Sequence, residues 1–239
     1  MDPFKITKSL VKDLNKIKFV EPVTHVYNPL IYANLPHNEY LERYGQSQVD
    51  YVLLGMNPGP FGMVQTGVPF GEIAAVRDWM GIRSPVKVPK SQHPKRMIQG
   101  FDCPRSEVSG ARLWGWAQNR FGTPKKFFKQ FAVLNYCPLA FLEESGKNRT
   151  PDKLNAEERD LLTQICDKAL GRFIQFYKPK MVIGIGVYAE KRAKLALEGV
   201  PVETEFGRIL HPSPASPSAN RGWAEAAEKQ FHALGVPLP

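Results

Sequence analysis

Cysteine is scarce in this chain. Only Cys103, Cys137 and Cys166 occur among 239 residues, far apart and with no CxxC pair, so neither a disulfide framework nor a four-cysteine metal or iron–sulfur site is expected. Long apolar runs are missing as well. No stretch of about twenty apolar residues is present, and the opening MDPFKITKSLVKDLNKIKFV lacks the apolar segment of a signal peptide. These absences lead us to expect a soluble protein with no membrane partner, located inside the cell: cytoplasm or nucleoid if the source is bacterial, nucleus if it is eukaryotic. Negative charge is the third shortage. Against 32 Lys and Arg there are 23 Asp and Glu, a formal net charge of +9. Such an excess bears on partners and not on fold, and nucleic acid is the polyanion it favours.

What is present is a regular alternation. Four short apolar runs recur: VDYVLLG from Val49, FAVLNY from Phe131, MVIGIG from Met181 and EFGRILHPSP from Glu205. The first three are rich in branched or aromatic residues and too short to be independent helices, as buried parallel strands are. Helical spacing fills the gaps, in Gly71 to Met80, Ala111 to Arg120, Asn155 to Tyr177, Val187 to Glu198 and Ala224 to Leu234. Asn155 is placed to cap its helix, with acids following where the helix dipole favours them. Strands alternating with helices predict an α/β fold, a three-layer α/β/α sandwich with a central, mostly parallel four-stranded sheet. We read residues 1–239 as one domain.

In such folds ligands bind beyond the carboxyl ends of the strands. LGMNPGP, NYCPLAF and HPSPASP all fall there. Each has an ordinary reading. Asn57-Pro58-Gly59 is good turn chemistry in itself, and His211-Pro212-Ser213-Pro214 can be an extended proline-rich loop whose histidine is incidental. Their emergence from one edge of one sheet is what points to a site.

Taken together, these residues resemble a known family. GMNPGPFGMVQTGVPFG (Gly55 to Gly71) and HPSPASPSANRGW (His211 to Trp223) are similar to the two motifs of the uracil-DNA glycosylase superfamily, specifically its single-strand-selective monofunctional uracil-DNA glycosylases. Asn135 of FAVLNYCPL falls where that family has its base-reading asparagine. The resemblance implies a monofunctional glycosylase that excises uracil, and some oxidised 5-substituted uracils, from single- and double-stranded DNA at the start of base excision repair. Its partner would be DNA with the damaged base flipped out of the stack. It implies a monomer with no cofactor and no metal. Asn57 would position the attacking water, the Met56 amide would bind a uracil carbonyl, Gly59 would shape the pocket and Phe70 would stack on the ring. Met63, Thr66 and Gly67 would wall the side near the base's 5-position.

Chemistry supports several of these assignments. Uracil presents an N–H beside a carbonyl, and the carboxamide of Asn135 offers the complementary acceptor and donor in one plane. Cytosine reverses both groups. Cleavage of the glycosidic bond leaves negative charge on the base, so a donor such as His211 at the departing O2 stabilises the transition state more than the ground state. Asn57 can orient water but is a poor general base, which predicts a dissociative reaction with modest turnover. No lysine lies in either motif, so no Schiff-base lyase step is expected.

The second motif should hold DNA through Ser213, Pro214, Ala215, Ser216, Ser218, Asn220 and Arg221, with hydroxyls on phosphates and a following helix whose amides favour anions. Animal members of the family carry arginine where this chain has Ala215, which weakens the expected wedge unless Arg221 compensates. Lys87, Lys90, Lys95 and Arg96 in one loop and Lys125, Lys126 and Lys129 in another are further candidates for phosphate contact, and equally for plain solvated charge. Trp114 and Trp116 read as packing. His25, His37, His93 and His232 show no ligand spacing. Two rival functions stay open: a related glycosylase whose main base is xanthine, hypoxanthine or a mismatched uracil or thymine, and a catalytically silent DNA-binding module. Retention of both Asn57 and His211 argues against the silent module.

Overall fold

The computed structural model describes residues 1–239. The chain begins with helix α1 (Pro3–Leu14), strand β1 (Val23–Tyr27), α2 (Pro29–Tyr32), α3 (Asn34–Tyr44) and β2 (Tyr51–Gly55). There follow α4 (Met63–Thr66), α5 (Val108–Phe121), α6 (Pro124–Gln130), β3 (Phe131–Asn135), β4 (Ala140–Glu143) and β5 (Asn148–Arg149). The last elements are α7 (Ala156–Tyr177), β6 (Met181–Ile185), α8 (Val187–Leu197), β7 (Glu205–Ile209), α9 (Pro217–Asn220) and α10 (Trp223–Ala233).

All four apolar runs are strands of one parallel sheet in the order β3-β2-β6-β7. Alternation along each strand sends side chains to two helical layers. Val52, Leu54, Ala132, Leu134 and Val182 pack under α1, α7 and α8. Tyr51, Leu53, Phe131, Val133 and Ile183 pack under α3, α5, α6 and α10. The second layer is notably aromatic: Trp116 stacks on Phe231 with centroids 5.0 Å apart, and Phe127 stacks on Phe131 at 5.1 Å. Such pairs add about 0.5–1.5 kcal/mol each beyond the area they bury. Trp114 and Trp116 are therefore core residues, as their helical setting suggests.

Three features depart from the sequence reading. Helix α1 lies outside the segments read as helical; Asp2 caps it by accepting from the Lys5 N–H at 2.9 Å, and Ile6, Leu10 and Leu14 bury against α7. A second, antiparallel sheet of order β1-β4-β5 has no signature in the sequence, because its strands are two to five residues long and one of them is the polar pair Asn148–Arg149. Finally, the segment Gly71 to Met80 is not a plain α-helix. Its residues Ala75–Trp79 form a wider π-turn, closed by the Met80 N–H on the Ala75 carbonyl at 2.9 Å, which lets Val76, Met80 and Ile82 all bury.

Candidate active site

The sheet positions the site directly. Gly55 and Asn135 are register partners at the carboxyl ends of β2 and β3. The pairing continues past the strands, with the Tyr136 N–H on the Gly55 carbonyl and the Cys137 N–H on the Met56 carbonyl, both at 2.9 Å. The N–H of Met56 meets no acceptor in the protein. Gly55 has to be glycine, since a Cβ there would run into both the Asn135 Oδ1 and the Phe70 ring.

The loop that follows is braced from four sides. The Asn57 Nδ2 donates to the carbonyls of Leu139 at 3.3 Å and Arg149 at 3.4 Å. Carbonyls only accept, so they fix which end of the amide is which and leave the Oδ1 as a free acceptor. The Asn148 Nδ2 donates to the Pro58 carbonyl at 2.8 Å. Gln65 is buried with every hydrogen-bonding group engaged: its Nε2 donates to the Pro60 and Met97 carbonyls, and its Oε1 accepts from the Gln99 and Gly100 N–H groups. Glu107 precedes α5 but caps nothing in that helix. Its carboxylate instead accepts from the Phe61 N–H at 3.3 Å and fills the space that the missing side chains of Gly59 and Gly62 leave. Burial pushes its pKa up from the usual carboxylate value.

Phe70 has φ +53°, a left-handed conformation that costs a residue with a side chain about 1–3 kcal/mol. Its carbonyl is held by the Trp114 Nε1–H at 3.0 Å and by the Glu72 N–H at 2.7 Å. Gly110 of α5 lies against the same carbonyl, where no Cβ fits.

His211 lies just beyond β7. The residue before it is pinned by Gln230, which accepts from the Leu210 N–H at 2.6 Å, and by the Trp223 Nε1–H, which donates to the Leu210 carbonyl at 2.7 Å. The imidazole stands 6.3 Å from the Phe70 ring, inclined by 44°. Burial lowers its pKa, so the ring is neutral at pH 7 and can donate from one nitrogen only.

These residues surround a cavity of about 230 Å³. Of the candidate site residues, Met56, Asn57, Gly59, Met63, Phe70, Asn135, His211 and Ser213 all line it. Thr66 and Gly67 do not. The Thr66 hydroxyl donates to the Gly71 carbonyl at 3.0 Å, and Gly67, at φ +74°, ends α4. Met63 does face the cavity, and the Asn135 Nδ2 rests on its sulfur at 3.2 Å. Four lining residues have no sequence signature: Glu107, Ser109, Asn148 and Thr150. They arrive from the start of α5 and from the small antiparallel sheet. A larger groove of about 670 Å³, reaching from Leu14 and Phe19 to Lys87 and Lys90, is lined mainly by apolar groups. It has no comparable convergence of polar side chains.

The remaining residues of the second motif lie outside the cavity, on an exposed loop. Arg112 of α5 is its main brace: Nη1 donates to the carbonyls of Pro212 at 3.1 Å and Ser213 at 3.3 Å, and Nη2 to the Asn220 Oδ1 at 2.8 Å. Asn220 donates onward to the Pro214 carbonyl at 2.9 Å. The Ser213 hydroxyl accepts from the Ala215 N–H, and Ser216 caps α9 by accepting from the Ala219 N–H. Pro214, Ala215, Ser218 and Arg221 are exposed, and Ser216 is partly so. No group of three or more His, Cys, Asp and Glu side chains converges as a metal ion would require.

Comparison with known proteins identifies the family. The model of the uracil DNA glycosylase superfamily matches residues 42–233. A single-strand selective monofunctional uracil DNA glycosylase of Mus musculus is 47% identical over 99% of this chain and 88% of its own length. The corresponding protein of Rattus norvegicus is 50% identical over 94% of this chain and 81% of its own. Among solved structures, that of Pedobacter heparinus SMUG2 superposes with a TM-score of 0.67 over 97% of this chain and 99% of the other, at 19% identity, which speaks for the fold alone. The chain therefore belongs to the uracil DNA glycosylase superfamily and stands among its single-strand selective monofunctional members.

Proposed function

We propose that the protein is a monofunctional DNA glycosylase that hydrolyses the N-glycosidic bond of uracil in DNA, acting as a monomer on a base flipped out of the strand. One observation carries the reading. Asn57, Phe70, Asn135 and His211 come from three separated stretches of sequence and line one cavity, with the Asn57 amide oriented so that its oxygen is free. The cavity is smaller than the roughly 300–1,000 Å³ of drug-sized sites, which suits a single base.

The chemistry follows from that placement. The base enters the cavity and lies against the Phe70 ring, which together with Asn135 takes the space a side chain at Gly55 would fill. Asn135 pairs with its imide edge, and the free Met56 N–H meets a carbonyl. As the bond between the sugar carbon and the ring nitrogen breaks, its electron pair passes to the uracil. Neutral His211 donates a hydrogen bond to the oxygen where that charge collects. Asn57 Oδ1 accepts from a water and holds it against the electron-poor sugar carbon. Addition of that water releases a proton to solvent, the departing uracil anion takes one up from solvent, and the products are free uracil and an abasic site. No amine in the cavity competes as a nucleophile, so the strand is left intact.

The test is single-turnover incubation with matched oligonucleotides carrying uracil, thymine, hypoxanthine or xanthine, single-stranded and duplex, analysed with and without alkali. Strand cleavage at uracil only after alkali is expected. Cleavage at a purine lesion as well would mean a pocket broader than Asn135 implies, and faster cleavage there would assign a different main base. Absence of cleavage at every base, with salt-sensitive DNA binding retained, would replace this reading by the silent binding module.

A further inference from the structure

At the cavity's rim, Phe61 carries two guanidinium groups on its ring. The Arg105 Cζ lies 3.9 Å from the ring centroid and that of Arg96 5.5 Å. Phe61 is tied to the cavity wall through its N–H on Glu107. Neither arginine takes part in an ion pair, in contrast to Arg120, Arg149 and Arg192, which all have carboxylate partners. Arg96 donates to the Lys95 carbonyl, and its Nε is buried with no acceptor. Arg105 donates to nothing in the protein, and the Glu107 carboxylate, near enough to feel its charge, accepts from the Phe61 N–H instead. A guanidinium held over an aromatic ring by cation–π attraction is kept in position while its N–H donors stay available to a phosphate.

We infer that Arg105, held on Phe61 and assisted by Arg96, binds a backbone phosphate of the DNA strand next to the nucleotide in the cavity. The inference rests on the proposed glycosylase reading, because a strand whose base enters the cavity carries a phosphate on either side of it. The contact lies at the first loop and is separate from the exposed loop of Pro214 to Arg221. It supplies a cation to a chain that has Ala215 in its second motif.

The test uses the full chain and a single-stranded oligonucleotide containing a non-hydrolysable 2′-fluoro-deoxyuridine, with Kd measured over a range of salt. Arg105→Gln is expected to weaken binding several-fold at low salt and to lower the slope of log Kd against log salt by about 0.7, the loss of one single-strand phosphate contact. Phe61→Leu should weaken binding less and leave the slope alone, because the charge remains. An unaltered slope and Kd for Arg105→Gln overturns the inference, as does slower excision at saturating DNA with an unaltered slope. A wild-type protein that shows no salt-dependent binding, or no uracil excision, instead overturns the glycosylase reading.

Discussion

The two loops that meet at the cavity are built differently. The first, from Met56 to Gly62, is tied down by Leu139, Arg149, Asn148, Gln65 and Glu107, and none of its residues is exposed. The second, from His211 to Asn220, is mostly exposed, and Arg112 is its principal link to the body of the protein. Chemistry at one atom needs fixed geometry, whereas contact with a strand of variable shape needs a surface that can adjust. The difference between the loops matches that division of labour.

Substitutions can break the comparison if it is wrong. Asn57→Ala, in the rigid loop, is expected to slow single-turnover uracil excision at least about a hundredfold while DNA affinity stays near wild type. A comparable loss of affinity would show that this loop also carries binding. The end of α4, which follows the rigid loop, rests on buried His37, whose Nδ1–H donates to the Gly67 carbonyl at 2.9 Å while its Nε2 has no partner. Burial lowers its pKa from 6.5 to about 4. The unfolded chain therefore takes up this proton first. Stability from His37 is fully present above pH 6.5 and declines by about 3 kcal/mol as pH falls towards 4. Urea unfolding at pH 7 and pH 4 should show a smaller loss for His37→Asn than for wild type; equal losses would clear His37 of this role.

Asn135→Ala should lower uracil excision some tens-fold, from about 1–3 kcal/mol of unmade pairing, with other bases less affected. Equal loss for every base would make Asn135 structural. Arg112→Ala should give the smallest effect, about tenfold on duplex substrate and less on single strands, with little change in thermal midpoint. Arg112→Lys should restore part of it, because lysine can reach the two carbonyls but lacks the fork that also holds Asn220. A large stability loss in Arg112→Ala would mean that the second loop is as integral to the fold as the first.

The legible parts of this molecule were those with local signals. Continuous apolar runs marked the four parallel strands, and Asn155 marked the start of α7, where its side chain accepts from the Glu158 N–H. Proline, glycine and asparagine after those strands marked both loops. What stayed hidden depends on distant partners. Glu107 looks like any acidic residue before a helix until Gly59 and Gly62 are seen to make room for it. Asn148 belongs to a two-residue strand with no periodicity to detect. Thr66 sits within the resembling motif yet turns inward to hold Gly71, because a four-residue helix presents only some of its side chains to the cavity.

Helix α5 touches all three walls of that cavity: the first loop through Glu107, the Phe70 carbonyl through Gly110 and Trp114, and the second loop through Arg112. The walls thus share one rigid reference. Displacement of that rod is common-mode for what it holds, carrying Phe61, the Phe70 carbonyl and the Pro212–Ser213 backbone together, so their mutual distances vary less than their absolute positions.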